Sequence, residues 1–298
     1  MTTIARPPGW TVWLLAARPK TLWAGISPVI VGTALAWRDH TFQLPAALAA
    51  LLGAVLIQIG ANFANDLSDH IRGADATGRR GPIRATQAAW VTPRQMRGAV
   101  LVTFTLALAV GLYLVTRGGW PIVVIGLASL TAALLYTGGP YPFGYYGLGD
   151  LFVFIFFGPV AVAGTYYVQA LSVNQTVWMS SIPMGALATA VLCVNNLRDI
   201  DSDRRAGKLT LAVRLGRRGA AWEYVGMLAL AFVSPGVLFI RHDFGPAVLL
   251  ASAVILAGAQ LAHRSFAIDD GPSFNKLLAA TARLQAIYAL AFAVGANW

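Results

Sequence analysis

Apolar residues dominate this chain in long runs, and polar residues collect in the short segments between them. Nine runs stand out, at about 21–37, 45–65, 97–116, 120–137, 149–170, 177–196, 219–240, 245–263 and 277–296. Each is near the ~20 residues with which a helix crosses the hydrocarbon core of a bilayer. The pattern predicts an all-α, polytopic membrane bundle of about nine transmembrane helices. Pro28, Pro159 and Pro235 fall inside runs, where membrane helices tolerate proline. Ahead of the runs, residues 1–20 carry Trp10 and Trp13 and then Arg18-Pro19-Lys20, the composition of an interfacial anchor. Residues 1–298 read as a single transmembrane domain that opens on this segment.

Composition agrees with the pattern. Of the 298 residues, 57% are hydrophobic and 11% charged, where soluble domains carry about 25% charged residues. The net charge of +10 admits a nucleic-acid reading, but the placement of the cations favours a membrane one. Arg and Lys crowd the segments before the first run, between the second and third, between the sixth and seventh, and between the eighth and ninth. The opposite segments hold Arg38, Arg117 and Arg241. Positive charge marks the cytoplasmic side, so the N-terminus is expected inside and the C-terminus outside. The single cysteine, Cys193, excludes an internal disulfide and reads as a buried, inert thiol. No cleavable signal peptide is expected.

Acidic residues gather on the same side as the cations, although topology does not demand it. The second run ends in Asn62-Phe-Ala-Asn65-Asp66-Leu-Ser-Asp69, followed by Arg72, Gly73 and Asp75. Asn62, Asp66 and Asp69 stand at i, i+4 and i+7, one helical face. The sixth run ends in a similar way, with Asn195-Asn196-Leu-Arg198-Asp199 and then Asp203. Here Asn195, Asp199 and Asp203 stand at i, i+4 and i+8. The two clusters lie four runs apart, so they face one compartment, as a parallel internal repeat would place them. Two readings are open. The oxygens can form a Mg²⁺ box bridging a phosphate-bearing substrate, or the acids can pair with the adjacent arginines on a solvated face. Arg84, Arg198 and Lys208 are the candidate phosphate contacts. The connection from Tyr136 to Asp150 has no Lys or Arg and is rich in aromatic and turn residues, Tyr145 and Tyr146 among them. It can cover an apolar substrate or stabilise a carbocation through ring faces, or it is an interfacial aromatic belt.

These residues resemble the UbiA superfamily of intramembrane aromatic prenyltransferases. The matching stretches are Ala17-Arg-Pro-Lys20-Thr21, Asn65-Asp66-x-x-Asp69, Gly81-Pro82, Tyr136-Thr-Gly-Gly-Pro140, Phe157-Gly-Pro159, Asn195-Asn196-x-Arg198-Asp199-x-x-x-Asp203 and Gly207-Lys208. They cover about residues 17–218. The Arg-Pro-Lys-Thr start and the Tyr-Thr-Gly-Gly-Pro loop are similar to the branch that prenylates 1,4-dihydroxy-2-naphthoate in menaquinone synthesis. The resemblance implies nine helices around a cavity open to cytoplasm and lipid, in the cytoplasmic membrane of a bacterium. It implies Mg²⁺, a polyprenyl diphosphate and an aromatic acid acceptor, with no nucleic-acid partner. Asp66, Asp69, Asp199 and Asp203 match metal-binding positions, with Asn62, Asn65, Asn195 and Asn196 beside them, and Lys208 matches a diphosphate contact. Lys20 lies in the matching start. Gly73 stands where many members carry a third carboxylate, and Asp75 follows it. Rival readings are a prenyltransferase for another acceptor such as 4-hydroxybenzoate, a secondary transporter, and a non-catalytic lipid-binding scaffold.

Overall fold

The computed structural model describes residues 7–73, 81–241 and 244–298. A short helix, α1 (Gly9–Ala17), precedes α2 (Pro19–Arg38), α3 (Leu44–Ile71), α4 (Pro93–Gly118) and α5 (Trp120–Leu135). Then come α6 (Gly149–Ala170), α7 (Gln175–Arg205), α8 (Leu211–Arg241), α9 (Pro246–Ala267) and α10 (Gly271–Gly295). Helices α2 to α10 match the nine apolar runs one for one. Seven of them (α3, α4 and α6 to α10) are long and apolar enough to cross a membrane by length and composition. Helix α5, with 16 residues, is a shorter apolar helix. In α2, Thr, Gly, Ser and Pro dilute the apolar character.

The polar residues between runs act as helix punctuation. Thr92 accepts from the Gln95 amide at 3.2 Å and completes a capping box at the start of α4. Asn174 and Asp270 cap α7 and α10 through the amides of Val177 and Ser273, at 3.0 and 2.8 Å. Arg18 adopts φ 53° between α1 and α2, and Pro19 opens α2 without needing its missing N–H. In α6, Pro159 sits in a π-turn over Phe156–Val160, a local answer to the donor that proline lacks.

Helix α7 is the axis of the molecule: 78% of its most apolar stretch is buried, against 17% for α4. Met184, Leu187, Val194 and Leu197 of α7 pack with Tyr224 of α8 and Phe274 and Tyr288 of α10. Small residues let backbones approach closely, the usual device where no water drives helices together. A Cβ on Gly185 would lie 2.5 Å from the Phe154 carbonyl of α6, and one on Gly32 of α2 would lie 2.6 Å from that of Val162. Helices α3, α4 and α5 pack together on the other flank.

Polar contacts define two ends. At one, the C-terminal turns of α3 and α7 meet the connection before α6. At the other, Tyr166 donates to Asp39 at 2.7 Å, and Asn297 donates to the Ala34 carbonyl at 3.1 Å. The end of α10 therefore lies away from the acidic motifs.

Candidate active site

The first motif occupies the last turns of α3. Its carboxylates stand at the negative end of the helix dipole, so they need positive partners. Asp66 accepts from the backbone amides of Ala85 and Thr86 at 3.0 and 3.2 Å. That pair of bonds fixes the turn at residues 84–86. The turn in turn delivers Arg84, which bonds Asp69 and donates to the Asn65 carbonyl at 2.6 Å. The Tyr145 hydroxyl donates to the other oxygen of Asp69 at 2.8 Å. Burial, and then the Asp69 charge, hold the Tyr145 phenol well above its ordinary pKa. It remains a donor.

The second motif occupies the end of α7. Arg198 reaches Asp199 with two nitrogens, at 2.8 and 2.6 Å, Asn195 at 2.7 Å and Asn275 of α10 at 2.8 Å. Lys208 pairs with Asp203 at 3.6 Å and stands 5.6 Å from the Tyr145 ring centroid. Tyr145 and Lys208 thus join the two motifs. The backbone of the aromatic connection is tied down from both sides. The Leu209 amide donates to the Tyr145 carbonyl at 2.9 Å, and Arg72 donates to the carbonyls of Thr137 and Gly139.

Below this polar end lies a cavity of about 600 Å³. Asn62, Asn65, Asp69, Arg84, Asn195 and Lys208 form its polar rim and, with Arg18, Thr21, Gln58 and Thr137, supply most of its polar lining; the rest of the wall is overwhelmingly apolar. Tyr136, Phe143, Phe152 and Phe156 make an aromatic wall, with Phe143 and Phe152 stacked at 4.0 Å between centroids. Leu108, Leu112 and Leu127 line the cavity and are also exposed, so it opens sideways between α4 and α5.

The predicted residues separate by position. Asp69, Asn62, Asn65, Asn195, Arg84 and Lys208 meet at the rim, although Asn62 directs its amide to the Ala17 carbonyl at 2.9 Å. Asp66, Asp199, Asp203 and Arg198 stand just behind it, and Asn196 is buried off the cavity. Among the described residues, Asp66, Asp69, Asp199 and Asp203 do not bring three ligand atoms within 4.8 Å of one another. Each is instead held by a cation or by backbone amides. Tyr146 and Lys20 are exposed and away from the cavity wall, and Asp75 lies outside the described residues. Sequence reasoning passed over Tyr136, Phe143, Phe152 and Phe156 as facing residues. It also passed over Thr137, which donates to Asn65 at 2.8 Å. The aromatic richness of the connection was the available signal for Tyr136 and Phe143, whereas Phe152 and Phe156 lie beyond it in α6, and spacing could not tell which rings turn inward.

Comparison with known proteins follows the same lines. Residues 25–287 match the family model of the UbiA prenyltransferase family. The chain is 43% identical over 247 residues to a 1,4-dihydroxy-2-naphthoate octaprenyltransferase of Mycobacterium tuberculosis, covering 83% of this chain and 84% of the relative. It is 38% identical over 292 residues to the protein of that name in Escherichia coli, covering 95% and 94%. Among solved structures, the apo UbiA homolog from Aeropyrum pernix K1 superposes with a TM-score of 0.72 at 18% identity, over 92% of this chain and 97% of that one. A UbiA homolog from Archaeoglobus fulgidus bound to DMAPP and Mg²⁺ gives 0.59 at 13% identity, over 95% and 99%. A buried polar end with two Asn-Asp helix termini, set over an apolar cavity, is thus carried on the fold of these proteins, and the chain belongs to the UbiA prenyltransferase family.

Proposed function

We propose that this prenyltransferase moves a polyprenyl group from its diphosphate to 1,4-dihydroxy-2-naphthoate, with loss of CO₂ and diphosphate, giving demethylmenaquinol. The observation that carries the reading is the pairing of a cation-rich polar rim with an aromatic-walled, laterally open cavity in one continuous space. The acceptor is inferred from the relatives' names.

The donor atoms suit Mg²⁺. The polar end offers carboxylate and amide oxygens, and hard cations take oxygens while sharing their shell with phosphate. When bound, Mg²⁺ takes up negative charge on the departing diphosphate. Asp69, Asp199 and Asp203 would hold it, with Asn65 and Asn195 beside them. Arg84, Arg198 and Lys208 now hold those carboxylates. Turned onto phosphate oxygens, the same three cations stabilise the leaving group, Arg in a bidentate fork and Lys as a point charge.

As the allylic C–O bond breaks, positive charge develops on the prenyl carbon. The faces of Phe143, Phe152 and Phe156 attract that charge and keep water away. The electron-rich naphthalenediol carbon forms the new C–C bond, and the carboxyl group on that carbon departs as CO₂. The prenyl tail lies in the cavity and leaves between α4 and α5 into lipid. By the positive-inside rule the polar rim faces the cytoplasm.

Purified full-length protein with Mg²⁺, one polyprenyl diphosphate and either naphthoate or 4-hydroxybenzoate tests this. The expected product has the mass of the naphthoate plus the prenyl group less CO₂. Alkylation of 4-hydroxybenzoate alone would overturn the acceptor assignment. Asp69→Ala and Asp203→Ala should each lower turnover by roughly 10²–10³-fold, and unchanged turnover in both would overturn the site.

A further inference from the structure

The prenyl-transfer chemistry leaves one buried cluster unused. Asp150 on the first turn of α6, Cys193 in the middle of α7 and Glu223 in α8 each place a ligand atom within 4.8 Å of the other two. Among the described residues it is the group of three His, Cys, Asp or Glu side chains so gathered. Cys193 is 1% exposed and Asp150 6% exposed. The Oδ1 atom of Asp150 is buried and accepts no hydrogen bond.

Two carboxylates facing a thiol inside a membrane bundle are costly unless protons or a cation neutralise them. Protein cations answer the need only in part. Lys208, whose charge reaches Asp150, is already paired with Asp203 at 3.6 Å. The donor set also differs in kind from the all-oxygen rim. A thiolate is a soft ligand, and one sulfur with two carboxylate oxygens selects Zn²⁺ or Cd²⁺ over Mg²⁺. In a tetrahedral shell those donors lie about 3.4–3.7 Å apart, so a closure of roughly an ångström completes it, with a fourth position left for water. From this geometry we propose a soft divalent-cation site formed by Asp150, Cys193 and Glu223, distinct from the diphosphate site.

Such an ion joins α6, α7 and α8 directly behind the rim. Asp150 closes the connection that carries Tyr145, and Cys193 lies two residues before Asn195. Binding releases the thiol proton, and any proton shared by the carboxylates, to bulk water.

Because the chain contains one cysteine, thiolate-to-metal absorption in the ultraviolet reports on this site alone. Detergent-solubilised full-length protein, held in excess Mg²⁺ to occupy the rim, is titrated with Cd²⁺. A saturable band of one equivalent is expected, displaced by Zn²⁺ and absent in Cys193→Ser. Glu223 is half-buried and tolerates a neutral isostere, so Glu223→Gln should fold and weaken Cd²⁺ binding by about tenfold or more. Absence of a band in the unmodified protein would overturn the proposal, the cluster then holding protons only. So would a band of unchanged affinity in both Glu223→Gln and Asp150→Asn, since the thiol would then bind alone.

Discussion

At the scale of single residues, Tyr145 is the side chain on which the polar end turns. Its hydroxyl bonds Asp69 at 2.8 Å, and its ring faces Lys208 and Arg72 with cation-to-centroid distances of 5.6 and 5.3 Å. Tyr145→Phe keeps the ring and removes the hydrogen bond to a charged acceptor, an interaction of about 1.5–3 kcal/mol. Part of that should appear as a fall of roughly tenfold in kcat/KM, and part as a lowered thermal stability. Because burial raises the phenol's pKa, it should remain protonated when an ordinary tyrosine ionises near 10. The sign for stability follows. Above about pH 10 the unfolded chain releases this proton and the folded chain retains it, so this tyrosine's contribution is complete below that pH and declines above it. Spectrophotometric titration of the unmodified protein and of Tyr145→Phe should differ by a tyrosine that titrates late. Sequence spacing identified Asp69, and nearness to the second motif identified Lys208, but the Tyr145 bridge joins residues 76 positions apart in the chain, and helical periodicity carries no such information.

At the scale of elements, backbone approach decides which helices sit beside α7. Gly185 of α7 leaves no room for a Cβ against the Phe154 carbonyl, whereas one on Gly226 of α8 would meet nothing within 4 Å. Gly185→Val should therefore cost about 1–3 kcal/mol, while Gly226→Ala should be neutral or slightly stabilising, since alanine suits a helix better than glycine. Thermal unfolding in detergent of the two variants side by side checks the contrast. Equal effects would mean that crowding at Gly185 relaxes freely. The number and order of the elements were legible in the sequence because apolar runs are local features, but several ends were not: α7 continues to Arg205 and α8 begins at Leu211, well past the runs at 177–196 and 219–240. The π-turn at Phe156–Val160 was not legible either, although Pro159 marked its place, because a proline can equally kink a helix or end it.

At the scale of the whole molecule, the cavity and the membrane orientation carry predictions. Gly126 of α5 lines the cavity, and a Cβ there would meet nothing within 4 Å. Gly126→Phe should fill part of the cavity proposed to hold the prenyl tail. Turnover with a long polyprenyl diphosphate should drop about tenfold or more, while turnover with a short one is retained. A retained long-chain rate would place the tail elsewhere. The charge asymmetry predicts the orientation: a C-terminal alkaline phosphatase fusion should be active, and a fusion at the α7–α8 connection inactive, in whole bacteria.

Much of this protein was settled by sequence alone. Nine long apolar runs leave a helical bundle as the outcome, because a buried backbone must bond within its own segment. The one-face spacing of Asn62, Asp66 and Asp69, and of Asn195, Asp199 and Asp203, placed two acidic faces at helix ends without any tertiary information. Tertiary structure alone decided which charge answers which. It brought Arg84 to Asp69 by way of a turn pinned on Asp66, Lys208 to Asp203, and Arg198 across to Asn275. It also set Cys193, read from the chain as an inert thiol, against Asp150 and Glu223 from two other helices. The physical reason is common to all of these. Periodicity fixes the face of a residue on its own helix, but the partner across a gap depends on how whole helices rotate and pack, which close-packing of every other side chain determines together.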